Sequence, residues 1–454
     1  MARNTPNRHL KEMLLEADWT AGQLAGSINS EGRTQGLDLR YDRTSVAHWL
    51  SGSRPRPPVP QLAAIVLARR LRRPVLAEDT GLAQDAVEPG PAAAAAGPST
   101  ADDPLVRLIA LTRADVLPGT RSALTRMPYV PLAVTRPAWP TPTDFPAQAA
   151  GDAVQPRNAG VRHLREMIAI FGRQMDHHGG GHARSALVAY LGEDAAVLLS
   201  RPAGEALRRD LLTHTAQLTH LLANMTADTD RHALAQRYLL TALDLAHRAH
   251  DRRTCAITLR ALSLQALERG HPHVAADLAD AAVRTAPHVA GATRAFLLAQ
   301  RALTHAHGDR RREALGDLGD AEHHHTPSPE GQGPFATYPR AGFHYQRGEI
   351  LLALNELPQA LLAFESSARH RPSHDHRLTA LTQARRAETL LRMGHLDAAG
   401  TAWDTFLQHY PLLRSTRADH ALGRLQAGLR PHARHRRAAH LLEVARAVSR
   451  AKAL

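Results

Sequence analysis

From about residue 160 to its end the chain is periodic, and that periodicity limits the folds open to it more than any other feature. Helical segments of 13–18 residues recur, parted by Gly, His, Asp or Pro turns. Four turns open at Gly270, Gly308, Asn355 and Gly394, at intervals of 38, 47 and 39 residues. The long interval holds an extra segment, His323 through Pro334. Pro287, Pro372 and Pro411 stand where the second helix of three units must close, because proline cannot continue a helix. One helix pair cannot bury its apolar face alone, so units of this length stack into a helical solenoid.

Composition supports helices over sheets. Apolar residues make up 43% of the 454 positions, but aromatic residues only 4%. The core must therefore be built from Leu, Ala and Val, and Ala and Leu favour helix. Ala261, Leu262, Leu264 and Ala266, then Ala295, Leu297, Leu298, Ala302 and Leu303, supply packing faces of that kind. The length suits two or three domains. The formal net charge of +13 suits a polyanionic partner. Lys11 and Lys452 are the only lysines, so the positive charge is nearly all arginine. GC-rich coding gives the same bias, and arginine count by itself therefore carries little weight. The single cysteine, Cys255, permits no intrachain disulfide and is expected in the core. No apolar stretch follows the N-terminus, and no run approaches the roughly 18 residues that span a bilayer. A soluble, cytoplasmic protein without a signal peptide is expected.

Residues 7 to about 80 predict a small bundle. Leu10, Met13, Leu14 and Ala17 share one helix face. Thr20 and Gln23 fit a capping box that opens a second helix with Ala21, Leu24, Ala25 and Ile28 on one side. A third helix follows in Tyr41–Ser51, where Val46, Trp49 and Leu50 fall at i, i+3 and i+4. Its other face, Thr44, Ala47, His48 and Ser51, is small or polar. Gly52 is placed to end it in a left-handed cap. A fourth helix runs through Leu62, Ile65 and Val66. From Gly52 to Arg73 there are six arginines (54, 56, 69, 70, 72 and 73) and no acidic residue, a composition suited to phosphates.

Residues 84–100 are rich in Pro, Gly and Ala and cannot build a core. Asp103 to Leu117 predict one helix, and residues 128–157 are proline-dense, with Tyr129, Leu132 and Trp139 apolar enough to dock. The fold class expected is all-α, in three parts. Residues 1–83 form a small helical bundle, 84–157 a Pro/Ala linker with one helix and a Pro-rich segment, and 158–454 a helical-repeat domain.

Residues 7–75 resemble the XRE (Cro/repressor) helix-turn-helix family, through Thr20–Ile28 and through Ser45-Val46-Ala47-His48-Trp49-Leu50-Ser51-Gly52-Ser53-Arg54-Pro55. Residues from about 230 onward resemble tetratricopeptide repeats, without the consensus Trp and most consensus Tyr and Phe. The combination is similar to actinomycete regulators of sporulation and antibiotic production. The resemblance implies that the second and third helices form the helix-turn-helix and that the third enters the major groove. It implies that Arg43, Thr44, Ser45, Ala47 and His48 face bases, that Arg54 and Arg56 face phosphates, and that Gln23 meets the DNA backbone. One departure is plain: Asn29 to Tyr41 adds about ten residues where the family has a tight turn. Either the second helix is longer or a loop is inserted.

A solenoid also forms a concave surface lined by the first helix of each pair. Arg260, Arg294, Gln300, His344, Tyr345, Gln346 and Arg385 are the candidates for a peptide or small-ligand groove, with protein docking or dimerisation as the alternative use. His177-His178-Gly179-Gly180-Gly181-His182 and His323-His324-His325 lack cysteine or carboxylate support for zinc. They are expected in exposed loops, so no metal and no cofactor is expected. The tail from Arg414 to Leu454 has ten basic residues against Asp419 and Glu443, and is expected to cap the solenoid, with a second DNA footprint as the alternative. No phosphate-binding loop or nucleophile elbow is present, so no enzyme is expected. The function expected is a DNA-binding transcriptional regulator, a repressor of development or secondary metabolism. It would bind double-stranded DNA as a homodimer, associate with the nucleoid and answer to a peptide, small-molecule or protein effector, without a membrane. An interaction scaffold that binds no DNA, and a phage- or plasmid-type repressor, are the alternatives.

Overall fold

The computed structural model describes residues 6–34, 37–56, 58–71, 75, 79–82, 103–125, 127–131, 158–289, 291–325 and 338–453. Among them every regular element is a helix, and the protein is all-α. The expected linker at 84–100, Leu132, Trp139 and the segment from Thr326 to Pro334 lie outside the described residues. The chain divides into two compact units, Met1–Asp102 with Ala114–Ala133, and Asp103–Arg113 with Val134–Leu454.

In the first unit α1 (Arg8–Glu16), α2 (Ala21–Thr34), α3 (Arg43–Leu50) and α4 (Val59–Leu71) enclose a core that includes Leu10, Leu24, Ile28, Val46, Trp49, Leu62 and Leu67. Asn7 accepts from the Leu10 N–H at 3.0 Å, and its amide donates to the Thr80 carbonyl at 2.9 Å, so one side chain caps the first helix and holds the last described stretch. The Thr20 N–H donates to Gln23 Oε1 at 2.8 Å and the Gln23 N–H to Thr20 Oγ1 at 3.3 Å, a reciprocal capping box. The extra residues between α2 and α3 are partly helix and partly loop. α2 continues to Thr34, and Leu37 and Leu39 then pack onto the core. Asn29 closes the loop: its amide donates to the Tyr41 carbonyl at 2.7 Å and its oxygen accepts the Tyr41 N–H at 2.9 Å.

The predicted helix near residue 103 is α5 (Pro104–Val116), followed by α6 (Pro118–Thr125). Up to Arg113, α5 belongs to the second unit, where Arg107 pairs with Asp244 and Arg248 with Asp103. Tyr129, expected to dock, is buried.

The second unit opens with α7 (Ala159–His178), α8 (Gly180–Tyr190), a π turn at Leu191–Ala195 and α9 (Ala196–Ser200). Five pairs follow: α10 (Glu205–Ala227) with α11 (His232–Arg248), α12 (Arg252–Glu268) with α13 (Pro272–Thr285), α14 (Gly291–His307) with α15 (Arg311–His324), α16 (Arg340–Ala353) with α17 (Leu357–Arg369), and α18 (His376–Arg392) with α19 (Leu396–His409). Each helix pairs most extensively with its partner, and successive pairs stack. α20 (Thr416–Leu429) and α21 (Arg436–Ala453) complete the unit and bury Leu422, Leu425, Leu441 and Leu442.

The turn inside each pair is the same device five times over. Asp230, Gly270, Asp309, Asn355 and Gly394 take positive φ, where glycine, Asn and Asp are tolerated best. Just beyond each, a backbone N–H reaches back to the carbonyl five residues earlier: Arg231 to Thr226, His271 to Ala266, Arg310 to His305, Glu356 to Leu351 and His395 to Leu390. These are Schellman helix ends. In the third pair, within the expected turn that opens at Gly308, the residue at positive φ is Asp309, a residue type that tolerates this conformation.

The unit closes on itself. α7 packs against both α10, in the first pair, and α18, in the fifth. Asp228, following α10, accepts two hydrogen bonds from Arg377 at 3.0 and 3.2 Å, one from Ser415 Oγ at 2.9 Å and one from the Gly180 N–H at 2.8 Å. Burial by itself would raise the Asp228 pKa, but these partners, Arg377 first, hold it below the ordinary value. A Cβ on Gly180 would lie 2.3 Å from the Met225 carbonyl oxygen, so only glycine permits this approach. The basic tail takes part in the packing: Arg417 pairs with Glu268, Arg424 with Glu388 and Arg437 with Asp404. Cys255 is buried, and burial raises its thiol pKa. Among the described residues no helix is long and apolar enough to cross a membrane.

Candidate nucleic-acid interface

The third helix presents one face to solvent because the opposite face is anchored. Val46 and Trp49 are buried, and the Tyr41 ring meets the Trp49 ring edge-on at 5.2 Å. At the helix end the Leu50 carbonyl accepts the Asn7 N–H at 3.0 Å. Arg43, Thr44, Ala47, His48 and Ser51 are all exposed. An eight-residue helix is about 12 Å long, and a major groove is about 12 Å wide.

Both ends of α3 are fixed. Asp42 caps the start: its carboxylate accepts from the Ser45 N–H and from Ser45 Oγ, each at 2.9 Å. These two bonds hold the Asp42 pKa below the ordinary carboxylate value. Ser45 is thus half-buried and serves as a cap, a role its place among the base-facing residues did not reveal. Gly52, at φ 107, ends the helix as expected, and the Ser53 N–H returns to the His48 carbonyl at 2.9 Å. Beyond it Pro55 is buried while Arg54 and Arg56 on either side are exposed. Gln23 is exposed at the start of α2, and its capping contacts use the side-chain oxygen. The arginines of α4 are placed differently from expectation. Arg69 pairs with Glu31 at 3.0 Å and Arg70 Nε donates to the Ala17 carbonyl at 2.8 Å. Both serve the bundle itself; Arg72 and Arg73 lie outside the described residues.

The seven expected groove residues do not form one free lining. Arg260, Gln300 and Gln346 are buried and linked: Arg260 donates to Gln346 Oε1 at 3.4 Å, Gln346 to Gln300 Oε1 at 3.4 Å, and Gln300 to Ser263 Oγ at 3.2 Å. The Arg260 guanidinium also lies 3.6 Å from the centre of the Phe296 ring. Arg385 is held by Glu349 at 2.5 and 2.6 Å and by Glu388 at 2.9 Å. Tyr345 packs edge-on against Phe364 at 5.8 Å, and His344 stacks on His370 at 5.7 Å. Arg294 is half-buried. Close packing of the first helices lets their polar side chains satisfy one another.

The histidine runs are not loops. His177 and His178 form the last turn of α7, and His182 opens α8. His323 and His324 end α15, and His325 stacks on Phe343 at 4.6 Å. His177, His178, His323 and His324 stand at the C-terminal, negative end of a helix dipole, where histidine is well suited.

A family model described as the SP15 N-terminal domain matches residues 10–83, the span of the α1–α4 bundle. No curated protein matches the chain.

Proposed function

We propose that the protein is a DNA-binding transcriptional regulator whose first unit reads duplex DNA as an XRE-type helix-turn-helix. Its second unit, a tetratricopeptide-like array, is proposed to dock a partner or a second copy of the chain. The observation that carries the reading is the two-sidedness of α3: Val46 and Trp49 are buried behind, while Arg43, Thr44, Ala47 and His48 are exposed in front. Small and polar side chains let a helix approach base edges, and an arginine there can pair bidentately with guanine. Arg54 and Arg56 flank the helix exit and supply phosphate contacts, which position the protein without reading sequence. Repression, with a homodimer spanning half-sites one helical turn or a multiple apart, is the form proposed.

The test is binding of the full chain to genomic fragments over a salt series. A subset of fragments retained at salt that releases random duplex supports the reading. Equal release of all fragments overturns sequence-specific regulation and leaves the scaffold alternative.

A further inference from the structure

We propose that His177, His374 and Asp375 form a binding site for a late first-row divalent cation of the Zn²⁺ class, at the point where the repeat unit closes on itself. One ligand atom from each of the three residues lies within 4.8 Å of the other two. His177 comes from the last turn of α7; His374 and Asp375 come from the turn that precedes α18. Two imidazoles and a carboxylate are a ligand set that zinc and iron(II) sites use, with the remaining position open to water or substrate.

The geometry is close to what the ion requires. Zinc–nitrogen distances near 2.0–2.1 Å put ligand atoms about 3.4 Å apart in a tetrahedron. His374 Nε2 already stands 3.7 Å from Asp375 Oδ1, and the His177 and His374 rings meet edge-on with centroids 5.0 Å apart. Closing from within 4.8 Å to about 3.4 Å asks movements of at most about 1.4 Å between ligand atoms. His374 is exposed, so an ion can reach the site from solvent.

The α7–α8 corner that carries His177 is fixed without the ion, and α7 packs against α18. The Arg414 N–H donates to the His178 carbonyl at 2.7 Å, and the Gly181 N–H to the Arg414 carbonyl at 2.9 Å. Arg377, two residues past Asp375, is locked onto Asp228, which also holds Gly180. The positive charge of Arg377 is therefore already matched by a carboxylate. More imidazoles stand close by: His178 lies 4.8 Å from His182 and 6.4 Å from His376, ring centre to ring centre. His376 Nδ1 is 3.1 Å from His409 Nδ1. These can supply a fourth ligand or hydrogen bonds that orient the first three. Along the chain the run His177-His178 offers two adjacent imidazoles and Asp176 beside them, but no set of residues spaced to converge on one ion. The carboxylate and the second imidazole arrive from Ser373-His374-Asp375-His376, a distant turn.

The experiment is Zn²⁺ titration of the untagged, metal-stripped full chain against a competing chromophoric chelator, with Co²⁺ absorption as a report of coordination. One tight equivalent is expected, with a tetrahedral or five-coordinate Co²⁺ spectrum. His374→Ala, at an exposed position, and Asp375→Asn should each weaken that equivalent at least about 100-fold, since even residues that only support metal ligands cost 10–100-fold. The unchanged thermal unfolding of the metal-free His374→Ala variant serves as the folding control. The combined His323→Ala, His324→Ala and His325→Ala variant should keep the site. Absence of a stoichiometric equivalent overturns the proposal. So does an equivalent that survives His374→Ala, or one that disappears with the 323–325 substitutions.

Discussion

Arg377 and Asp228 form a doubly hydrogen-bonded buried ion pair, at 3.0 and 3.2 Å, that joins the start of α18 to the end of α10. It ties the fifth helix pair to the first, so the array is a closed unit rather than an open stack.

Breaking that pair leaves a buried charge without its partner. Arg377→Ala is expected to cost about 3–5 kcal/mol. The lower end is favoured because Asp228 keeps its bonds from Ser415 and the Gly180 N–H. Urea unfolding of the full chain, followed by a signal from the second unit, measures it. A loss under about 1 kcal/mol would show that the closure is not held by this pair.

The two classes of arginine near α3 should separate in binding assays. Arg43→Ala is expected to lose about 1–3 kcal/mol of discrimination between operator and random duplex. Arg54→Ala should weaken both alike and reduce the salt slope by about 0.9. Unchanged operator preference in the Arg43 variant would remove it from base reading.

Asn29→Ala removes both bonds to the Tyr41 backbone. At about 1 kcal/mol for each hydrogen bond, the first unit should lose about 2 kcal/mol. Faster amide exchange at Tyr41 would accompany the loss. Exchange at the wild-type rate would mean that Leu37 and Leu39 alone hold the loop.

His220 predicts an acid-sensitive term. It is buried, with Nδ1 3.1 Å from Thr258 Oγ1, and burial, then the charge of Arg260, lowers its pKa from 6.5 to about 3. Below about pH 6.5 the unfolded chain takes up a proton that the folded chain refuses. Stability contributed by this site therefore falls as pH drops from about 6.5 toward about 3, at about 1.4 kcal/mol per pH unit. His220→Gln should flatten the dependence of unfolding free energy on pH between 6.5 and 4. A variant with the wild-type slope would place the acid sensitivity elsewhere.

Local signals in the chain were sufficient for most helices and caps, though not for the histidine-bearing ends of α7 and α15. Leu10, Leu24, Ile28, Val46 and Trp49 are buried where helical spacing puts them, and Thr20 with Gln23, Gly52, Gly270, Asn355 and Gly394 perform the capping and turning that their chemistry predicts. Such features depend on neighbours within a few residues, so the sequence by itself determined them. What joins distant segments was decided by the tertiary structure. Arg69 and Arg70 reach across the bundle surface to Glu31 and Ala17, Arg260 and Gln346 meet inside the array, and His177 comes to lie beside His374 and Asp375. The pairings in the second unit depend on how α7 and the helix pairs curl, which follows from the summed small offsets of many packed side chains and from close approaches such as that at Gly180; those in the first depend on how α1, α2 and α4 pack. No pattern of spacing along the chain encodes that sum.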